Sequence, residues 1–170
     1  MARKFRGSEE VNIDAKGRLS VPARFRRVFE QGDPNWKSGE RAQIVLVYGP
    51  ESWRKLELYT VEAADRIDEE IDRLERGSPE RAWLETLMNG QATELEIDTE
   101  GRLVLPQKLR AKIGLDKAAV FTAKGDLLEV WRPDEFEEAD ARLQQFMAER
   151  GEDFDPRIFL GGTRGARAEG

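Results

Sequence analysis

Apolar and polar residues alternate in a short segment near the start of the chain, on both sides of a small polar loop. In VNIDAKGRLSV, residues 11–21, Ile13 precedes the loop, and Leu19 and Val21 follow it at alternate positions. This period of two predicts β-strands, and a three-residue loop at 15–17 that ends in glycine is typical of a β-hairpin. Glycine takes a positive φ there without a steric cost. We therefore predict a hairpin.

The residues after the hairpin change to a helical period. Pro22 suits the first turn of a helix, because its missing N–H is not needed there. Phe25, Val28 and Phe29 then fall on one face, and Gly32 can end the helix. The pattern predicts a short helix whose apolar face lies in the core.

The whole pattern returns 84 residues further along the chain. NIDAKGRLSVPARFR, residues 12–26, becomes EIDTEGRLVLPQKLR, residues 96–110. The identical pairs are Ile13/Ile97, Asp14/Asp98, Gly17/Gly101, Arg18/Arg102, Leu19/Leu103, Pro22/Pro106 and Arg26/Arg110. Because such dissimilar residues recur in a fixed order, the pattern indicates a duplicated unit. Leu109 and Ile113 supply the helix face in the second copy.

Each copy continues with two β-rich runs and then with helical periodicity. The runs are 43–49 and 55–60 in the first copy, and 118–125 and 127–132 in the second. The fold class predicted from these elements is α+β. The predicted organisation is a first unit at 5–60, a helical connector at 61–92, a second unit with a C-terminal helix at 93–148, and a flexible tail at 152–170.

Composition removes several classes of function. The chain of 170 residues has no cysteine and no histidine, which excludes disulfides, Cys/His zinc sites and triads that need an imidazole base. No run approaches the length of a membrane span, and the first residues lack the apolar region of a signal peptide. We expect a soluble, cytoplasmic protein without a membrane partner.

Charge is distributed unevenly along the chain. The formal net charge is −6, yet residues 1–30 carry eight basic against four acidic residues, a local balance of +4. A phosphate backbone responds to local charge, because salt screens interactions beyond a Debye length of about 8 Å. The acidity lies in predicted helices, where it can also be an ordinary solvated face.

The repeated loop residues have a simple structural interpretation. Asp14 and Arg18 flank the first loop closely enough to form an ion pair, and Asp98 and Arg102 repeat this arrangement. Closing the hairpin explains the aspartates and glycines, and core packing explains the apolar helix residues. The loop-orienting residues are Asp14, Gly17, Asp98 and Gly101.

The basic residues exceed what one carboxylate can pair with. Guanidinium groups on a rigid hairpin-helix element suit phosphate oxygens and guanine edges. A merely solubilising surface is the alternative. The residues predicted to contact a nucleic acid, either DNA or RNA on this argument alone, are the candidate DNA-binding residues Arg18, Lys16, Arg24, Arg26, Arg27, Arg6, Arg102, Lys108 and Arg110. We expect the main contacts from the first copy, which is the more basic.

The duplicated Asp-x-x-Gly-Arg with its following Pro and Arg, the opening Phe5-Arg6-Gly7 and the LEVW at 128–131 resemble the MraZ family of bacterial regulators. Their halves are each similar to the AbrB/SpoVT swapped-hairpin domain. The resemblance implies two such units in a small pseudo-twofold β-barrel flanked by helices. It also implies an oligomeric ring, nucleoid association, and binding to double-stranded DNA at direct repeats upstream of the division and cell-wall gene cluster. The family's motif arginine and aspartate correspond to Arg18, Arg102, Asp14 and Asp98.

Three other interpretations stay open. The chain could be an antitoxin-like DNA binder with this fold, or a ring-forming scaffold whose arginines contact neighbouring subunits. An enzyme with paired carboxylates is disfavoured, because the acidic residues are spread over helix faces. We predict no catalytic residue, no metal, no cofactor and no small-molecule ligand.

Overall fold

The computed structural model describes residues 4–161. The strands are β1 Ser8–Asn12, β2 Arg18–Ser20, β3 Ala42–Val47, β4 Lys55–Thr60, β5 Ala92–Ile97, β6 Arg102–Val104, β7 Ala118–Lys124 and β8 Leu127–Trp131. The helices are α1 Ala23–Gln31, α2 Val61–Asp72, α3 Pro79–Glu85, α4 Gln107–Lys112 and α5 Pro133–Ala148, with a π-helical turn at Thr86–Gly90 and a 3-10 helix at Pro156–Phe159. This mixture of helices and antiparallel strands confirms the α+β class.

The two copies exchange strands in the main sheet. Its strand order is β1-β7-β8-β4-β3-β5, so β1 of the first copy pairs with β7 of the second, and β5 pairs with β3. The order is the same from either edge once corresponding strands are equated, which is the expected pseudo-twofold arrangement. The strand pairings leave β1 and β5 at the edges of the sheet and do not show closure into a barrel.

The predicted hairpin forms its turn but hardly any ladder. Ile13, which follows β1, forms one isolated bridge with Leu19 of β2, and β2 pairs with β6 in a separate two-stranded ribbon. Leu19 and Leu103 lie opposite each other in this ribbon and are fully or almost fully buried. The ribbon therefore buries apolar residues of both copies in one shared core.

That core draws its side chains from both halves of the repeat. Phe25, Val28 and Phe29 are buried as predicted, and they pack in one cluster with Phe121 and Leu128 of the second copy. Each fully buried leucine or phenylalanine contributes roughly 1.5–3 kcal/mol. This cluster therefore joins the two copies of the repeat in one shared core.

A second apolar cluster lies under the helical connector. Thr60 caps α2 by accepting a hydrogen bond from the N–H of Ala63, and Ser78 caps α3 by accepting one from the N–H of Arg81. The cluster consists of Val47, Tyr59, Ala63, Ala64, Ile71 and Met88. The connector is thus held on the sheet through its own apolar face.

Three charged side chains form a cluster between β4 and β8, where the two copies meet. Glu57 and Glu129 are directly opposite and nearly buried, an arrangement that is destabilising for like charges. Lys55 Nζ lies 2.8 Å from a carboxylate oxygen of each. Burial lowers the pKa of Lys55, but the two carboxylates outweigh this and raise it. Lys55 therefore stays charged and bridges the two strands.

The chain divides into two compact units, Met1–Glu135 and Phe136–Gly170. On α5, the side chain of Leu143 is 46% exposed and that of Phe146 is 57% exposed. Residues 162–170 of the predicted flexible tail lie outside the described residues, and the part before them contains the 3-10 helix. The flexibility of the tail stays a prediction.

Candidate nucleic-acid interface

The first repeated loop is a tight turn built around the side chain of Asp14. Its Oδ1 accepts hydrogen bonds from the backbone N–H groups of Lys16 and Arg18, both at 2.9 Å. The N–H of Gly17 donates to the carbonyl oxygen of Asp14 at 2.9 Å, and Gly17 has a φ of +79°. Aspartate favours such turns because its short side chain reaches the backbone two residues on. The loop is therefore fixed at several points.

The same aspartate orients the arginine that follows the loop. Arg18 Nε donates to Asp14 Oδ2 at 2.6 Å, and no group in the described chain pairs with its two terminal amino groups. The backbone N–H of Arg18, together with its guanidinium and the N–H of Lys16, holds the pKa of Asp14 below its ordinary value despite some desolvation. Asp14 is thus ionised at neutral pH and anchors one side of a guanidinium whose other side is free.

The second loop has the same backbone and a different charge. Asp98 Oδ1 accepts from the N–H groups of Glu100 and Arg102, both at 2.9 Å, and Gly101 has a φ of +82°. Arg102 Nε lies 3.4 Å from Asp98, and one terminal amino group is 2.5 Å from the Glu100 carboxylate. Burial raises the pKa of Asp98, but the N–H groups and the Arg102 charge outweigh this and lower it. Glu100 therefore pairs with Arg102, whereas Lys16, its counterpart in the first loop, cannot pair with Arg18.

The β2–β6 ribbon carries one loop at each end. Arg18 lies opposite Val104 and Ser20 lies opposite Arg102, so these four residues share the outer face, while the leucines between them point into the core. At the ends, the N–H of Leu105 donates to the carbonyl oxygen of Gly17 at 3.1 Å, and the N–H of Val21 donates to that of Gly101 at 2.8 Å. Each loop therefore lies beside the start of the helix of the other copy.

Two predicted DNA-binding arginines pack against these loops. A Cβ atom on Gly17 would lie only 2.7 Å from the guanidinium of Arg110, and Gly101 is in the same close contact with Arg26. Arg110 Nε also donates to the carbonyl oxygen of Leu105 at 3.0 Å. The structure thus gives each arginine a place over the glycine loop of the other copy, a role that sequence spacing could not indicate. Contact of either arginine with DNA stays a prediction.

The remaining predicted basic residues differ in how free they are. Arg24 pairs with Glu9 at 2.9 Å and stacks on Phe25, with its guanidinium carbon 4.6 Å from the ring centre. The side chains that are exposed and have no ion pair within residues 4–161 are those of Arg6, Lys16, Arg27 and Lys108. Of these four, Lys16 lies in the Gly17 loop itself, and Lys108 lies in α4, the helix that begins beside that loop. The first loop and α4 form this end of the ribbon, rather than the first loop and α1.

The outer face of the ribbon also includes a residue that sequence reasoning missed. Val104 is 51% exposed, while its neighbours Leu103 and Leu105 are buried. The alternation of the strand places Val104 on the side opposite the buried leucines, and this signal was present in the sequence.

Within residues 4–161, no cluster of three or more acidic side chains is arranged to hold a metal ion. In the same part of the chain, no helix combines the length and the apolar character needed to span a membrane.

Comparison with known proteins identifies relatives over almost the whole chain. The sequence model of a family described as "MraZ protein, putative antitoxin-like" matches residues 4–76 and 88–155. A protein named transcriptional regulator MraZ from Ruegeria sp. (strain TM1040) is 48% identical over 167 residues, which covers 98% of this chain and all of that protein. Its namesake from Ruegeria pomeroyi is 47% identical with the same coverage, and that from Coxiella burnetii is 30% identical over 91% of this chain and 96% of its own length. The chain belongs to the MraZ family.

Proposed function

We propose that this protein is a sequence-specific DNA-binding regulator of transcription. Its site is the end of the β2–β6 ribbon that carries the Gly17 loop. The observation that carries the proposal is the state of Arg18, which is held through Nε by Asp14 and whose terminal amino groups have no partner among residues 4–161. An arginine fixed in this way is prepared for two parallel hydrogen bonds to guanine or to phosphate.

The shape of the element supports the same conclusion. The major groove of B-DNA admits a two-stranded β-ribbon, and the outer face of this ribbon presents Arg18 and Arg102. Lys16 and Lys108 are free to neutralise phosphates beside it, and Arg6, Arg24 and Arg27 extend the basic surface along the first copy. The overall negative charge is no obstacle, because it is concentrated in helices such as α2 and α5.

The target is best described as short direct repeats upstream of the protein's own operon, in the division and cell-wall gene cluster. The relatives are named transcriptional regulators, which supports regulation of transcription as the role. A protein of this kind acts in the cytoplasm at the nucleoid. It needs no catalytic residue and no cofactor.

We further propose that the protein binds as a homo-oligomer, in the form of a ring. Exposed apolar side chains support association with a second copy: Trp83 on α3 is 68% exposed, and Phe146 on α5 is 57% exposed. One ribbon contacts few base pairs and binds weakly. Several ribbons in one ring bind several repeats with a gain from effective concentration, so affinity should rise steeply with the number of repeats.

The test is a binding titration of the full chain with a labelled fragment from upstream of its gene and with a scrambled fragment. We expect tighter binding to the native fragment. We also expect the logarithm of the binding constant to fall linearly with the logarithm of salt concentration, by about 0.9 for each phosphate neutralised. Equal binding to both fragments would remove sequence specificity from the proposal. No binding at low salt would favour the scaffold interpretation instead.

One observation keeps an antitoxin-like role as a second candidate. The description of the matching family includes the words "antitoxin-like". Such a protein would bind DNA through the same ribbon and a toxin through another segment. Growth of cells that lack this gene separates the two candidates, because only an antitoxin protects cells from a toxin encoded beside it.

A further inference from the structure

The pseudo-twofold symmetry of the ribbon is broken on the face proposed to meet DNA. The repeat equates Ser20 with Val104, and both side chains are exposed on the outer face. Each lies opposite an arginine, Ser20 opposite Arg102 and Val104 opposite Arg18. One end of the ribbon therefore presents an arginine with a hydroxyl group, and the other presents an arginine with an apolar side chain.

Val104 is exposed although the residues on both sides of it are buried. Leu103 is 1% and Leu105 is 0% exposed, against 51% for Val104. An isolated exposed valine is ordinary on a protein surface. This one, however, lies between Arg18 across the ribbon and Arg102 two residues before it on the same strand. A surface that presents guanidinium groups to DNA thus has an apolar position at one end of the ribbon, opposite Arg18.

Resting on the proposed function, we infer that Val104 contacts the 5-methyl group of a thymine in the major groove. The thymine methyl is the apolar group that base edges present there, and small apolar side chains are its usual partners. Arg18, which Asp14 anchors, lies directly opposite Val104. The end of the ribbon that carries both residues would therefore contact a guanine and a nearby thymine together. Val104 is then a specificity-determining residue.

The same asymmetry gives the bound DNA a direction. A module with exact twofold symmetry would favour a palindromic site, as symmetric dimers do. In this ribbon the position equivalent to Ser20 is Val104, and the position equivalent to Lys16 is Glu100. Each ribbon therefore recognises a non-palindromic site in one orientation. Sites repeated in the same direction fit such a module, while inverted sites do not.

The experiment replaces thymine by deoxyuridine, which removes only the methyl group. The full chain is titrated with the upstream fragment, in which each thymine of the bound site is replaced in turn. We expect one thymine per bound ribbon at which the replacement weakens binding about fourfold, the gain expected from burying one methyl-sized group. Replacement at the remaining thymines should change the affinity little.

Variants of the chain connect that thymine to Val104. Val104→Ser should bind the thymine fragment as weakly as wild type binds the deoxyuridine fragment, and should not distinguish the two. Val104→Ala serves as a second variant with an intermediate effect. Ser20→Ala is the matched control at the other end of the ribbon, and it should keep the full thymine preference. Thermal unfolding and light scattering should show unchanged stability and oligomeric state.

The outcomes separate this inference from the proposed function. Specific binding with no thymine at which deoxyuridine matters would overturn the role of Val104 and leave the regulator intact. Full thymine preference in Val104→Ser would also overturn it, as would a change of oligomeric state, since Val104 would then belong to a subunit contact. Absence of any binding by wild type would overturn both.

Discussion

The two repeated loops have nearly the same backbone conformation, but the residue beside the arginine is basic in the first and acidic in the second. In each, an aspartate accepts two backbone N–H groups at 2.9 Å and a glycine takes a φ near +80°. Within the part of the chain that the structure describes, the terminal amino groups of Arg18 have no partner beside Lys16, whereas one terminal amino group of Arg102 pairs with Glu100. The duplication has thus preserved the scaffold of the loop, while one side chain decides whether its arginine is available.

Each loop also contacts an arginine from the helix of the other copy, because the copies are interleaved. The Gly17 loop is packed by Arg110 of the second copy, and the Gly101 loop is packed by Arg26 of the first. Each end of the ribbon is therefore a joint product of both copies. A substitution in one copy should act on the loop of the other.

The largest difference is expected between the two loop arginines. Arg18→Ala should weaken DNA binding by roughly 1–3 kcal/mol, the range for loss of a bidentate base contact. Arg102→Ala should weaken it less, because Glu100 already occupies that guanidinium. Titration of both variants against the upstream fragment measures the difference, and thermal unfolding checks the fold. A greater loss for Arg102→Ala would mean that the DNA lies at the other end of the ribbon.

A smaller and different effect is expected from Arg110. Its hydrogen bond to Leu105 contributes roughly 0.5–1.5 kcal/mol to stability and positions the Gly17 loop without requiring contact with DNA. Arg110→Ala should weaken binding and leave its salt dependence unchanged.

Lys108→Ala is the matched control for that variant, because Lys108 is on the same helix and its side chain is exposed. It should reduce the slope of the logarithm of affinity against the logarithm of salt by about 0.9. A similar reduction in Arg110→Ala would show that Arg110 neutralises a phosphate itself.

Removing the charge of Glu100 should make the loops more alike. Glu100→Gln frees the terminal amino group of Arg102 and removes a negative charge from the ribbon, so DNA affinity should rise modestly. The stability change should be within about 1 kcal/mol, since the ion pair is at the surface. Glu94→Gln, an exposed charge on β5, is the control. Weaker binding by Glu100→Gln would mean that this carboxylate itself takes part in recognition.

Acid should affect the two loops alike. The pKa values of Asp14 and Asp98 are lowered from an ordinary 3.8, so their stabilising effect is complete above that pH and is lost as the pH falls through the lower folded values. The double variant Asp14→Asn/Asp98→Asn should lose less stability than wild type between pH 5 and about pH 3. Urea unfolding at both pH values measures this, with Asp116→Asn as the control. An unchanged pH dependence would contradict the assigned hydrogen bonds.

Local features of this fold were accessible from the sequence, and its pairings were not. Glycine at the third loop position predicted the positive φ, and helical spacing predicted the burial of Phe25 and Phe29, because both depend on neighbouring residues alone. Alternation shows which face of a strand is buried but not which strand lies beside it. The pairing of β1 with β7 therefore had to come from the structure or from family resemblance.

The same limit applies to the candidate site. The motif indicated Arg18 and Asp14 correctly as an ion pair, since they flank one turn. Arg26 and Arg110 looked equally free in the sequence, because the glycines they cover lie in the other copy. Residues whose neighbours are distant in the chain cannot be assigned from spacing.

The most direct test of the central claim is to exchange the charges of the two loops. Lys16→Glu combined with Glu100→Lys leaves the net charge unchanged and moves the free arginine from Arg18 to Arg102. In wild type we expect Arg18→Ala to weaken binding to the upstream fragment more than Arg102→Ala. In the exchanged protein we expect the reverse order. If Arg18→Ala remains the more damaging change there, the charge beside the loop does not select the arginine, and the claim is wrong.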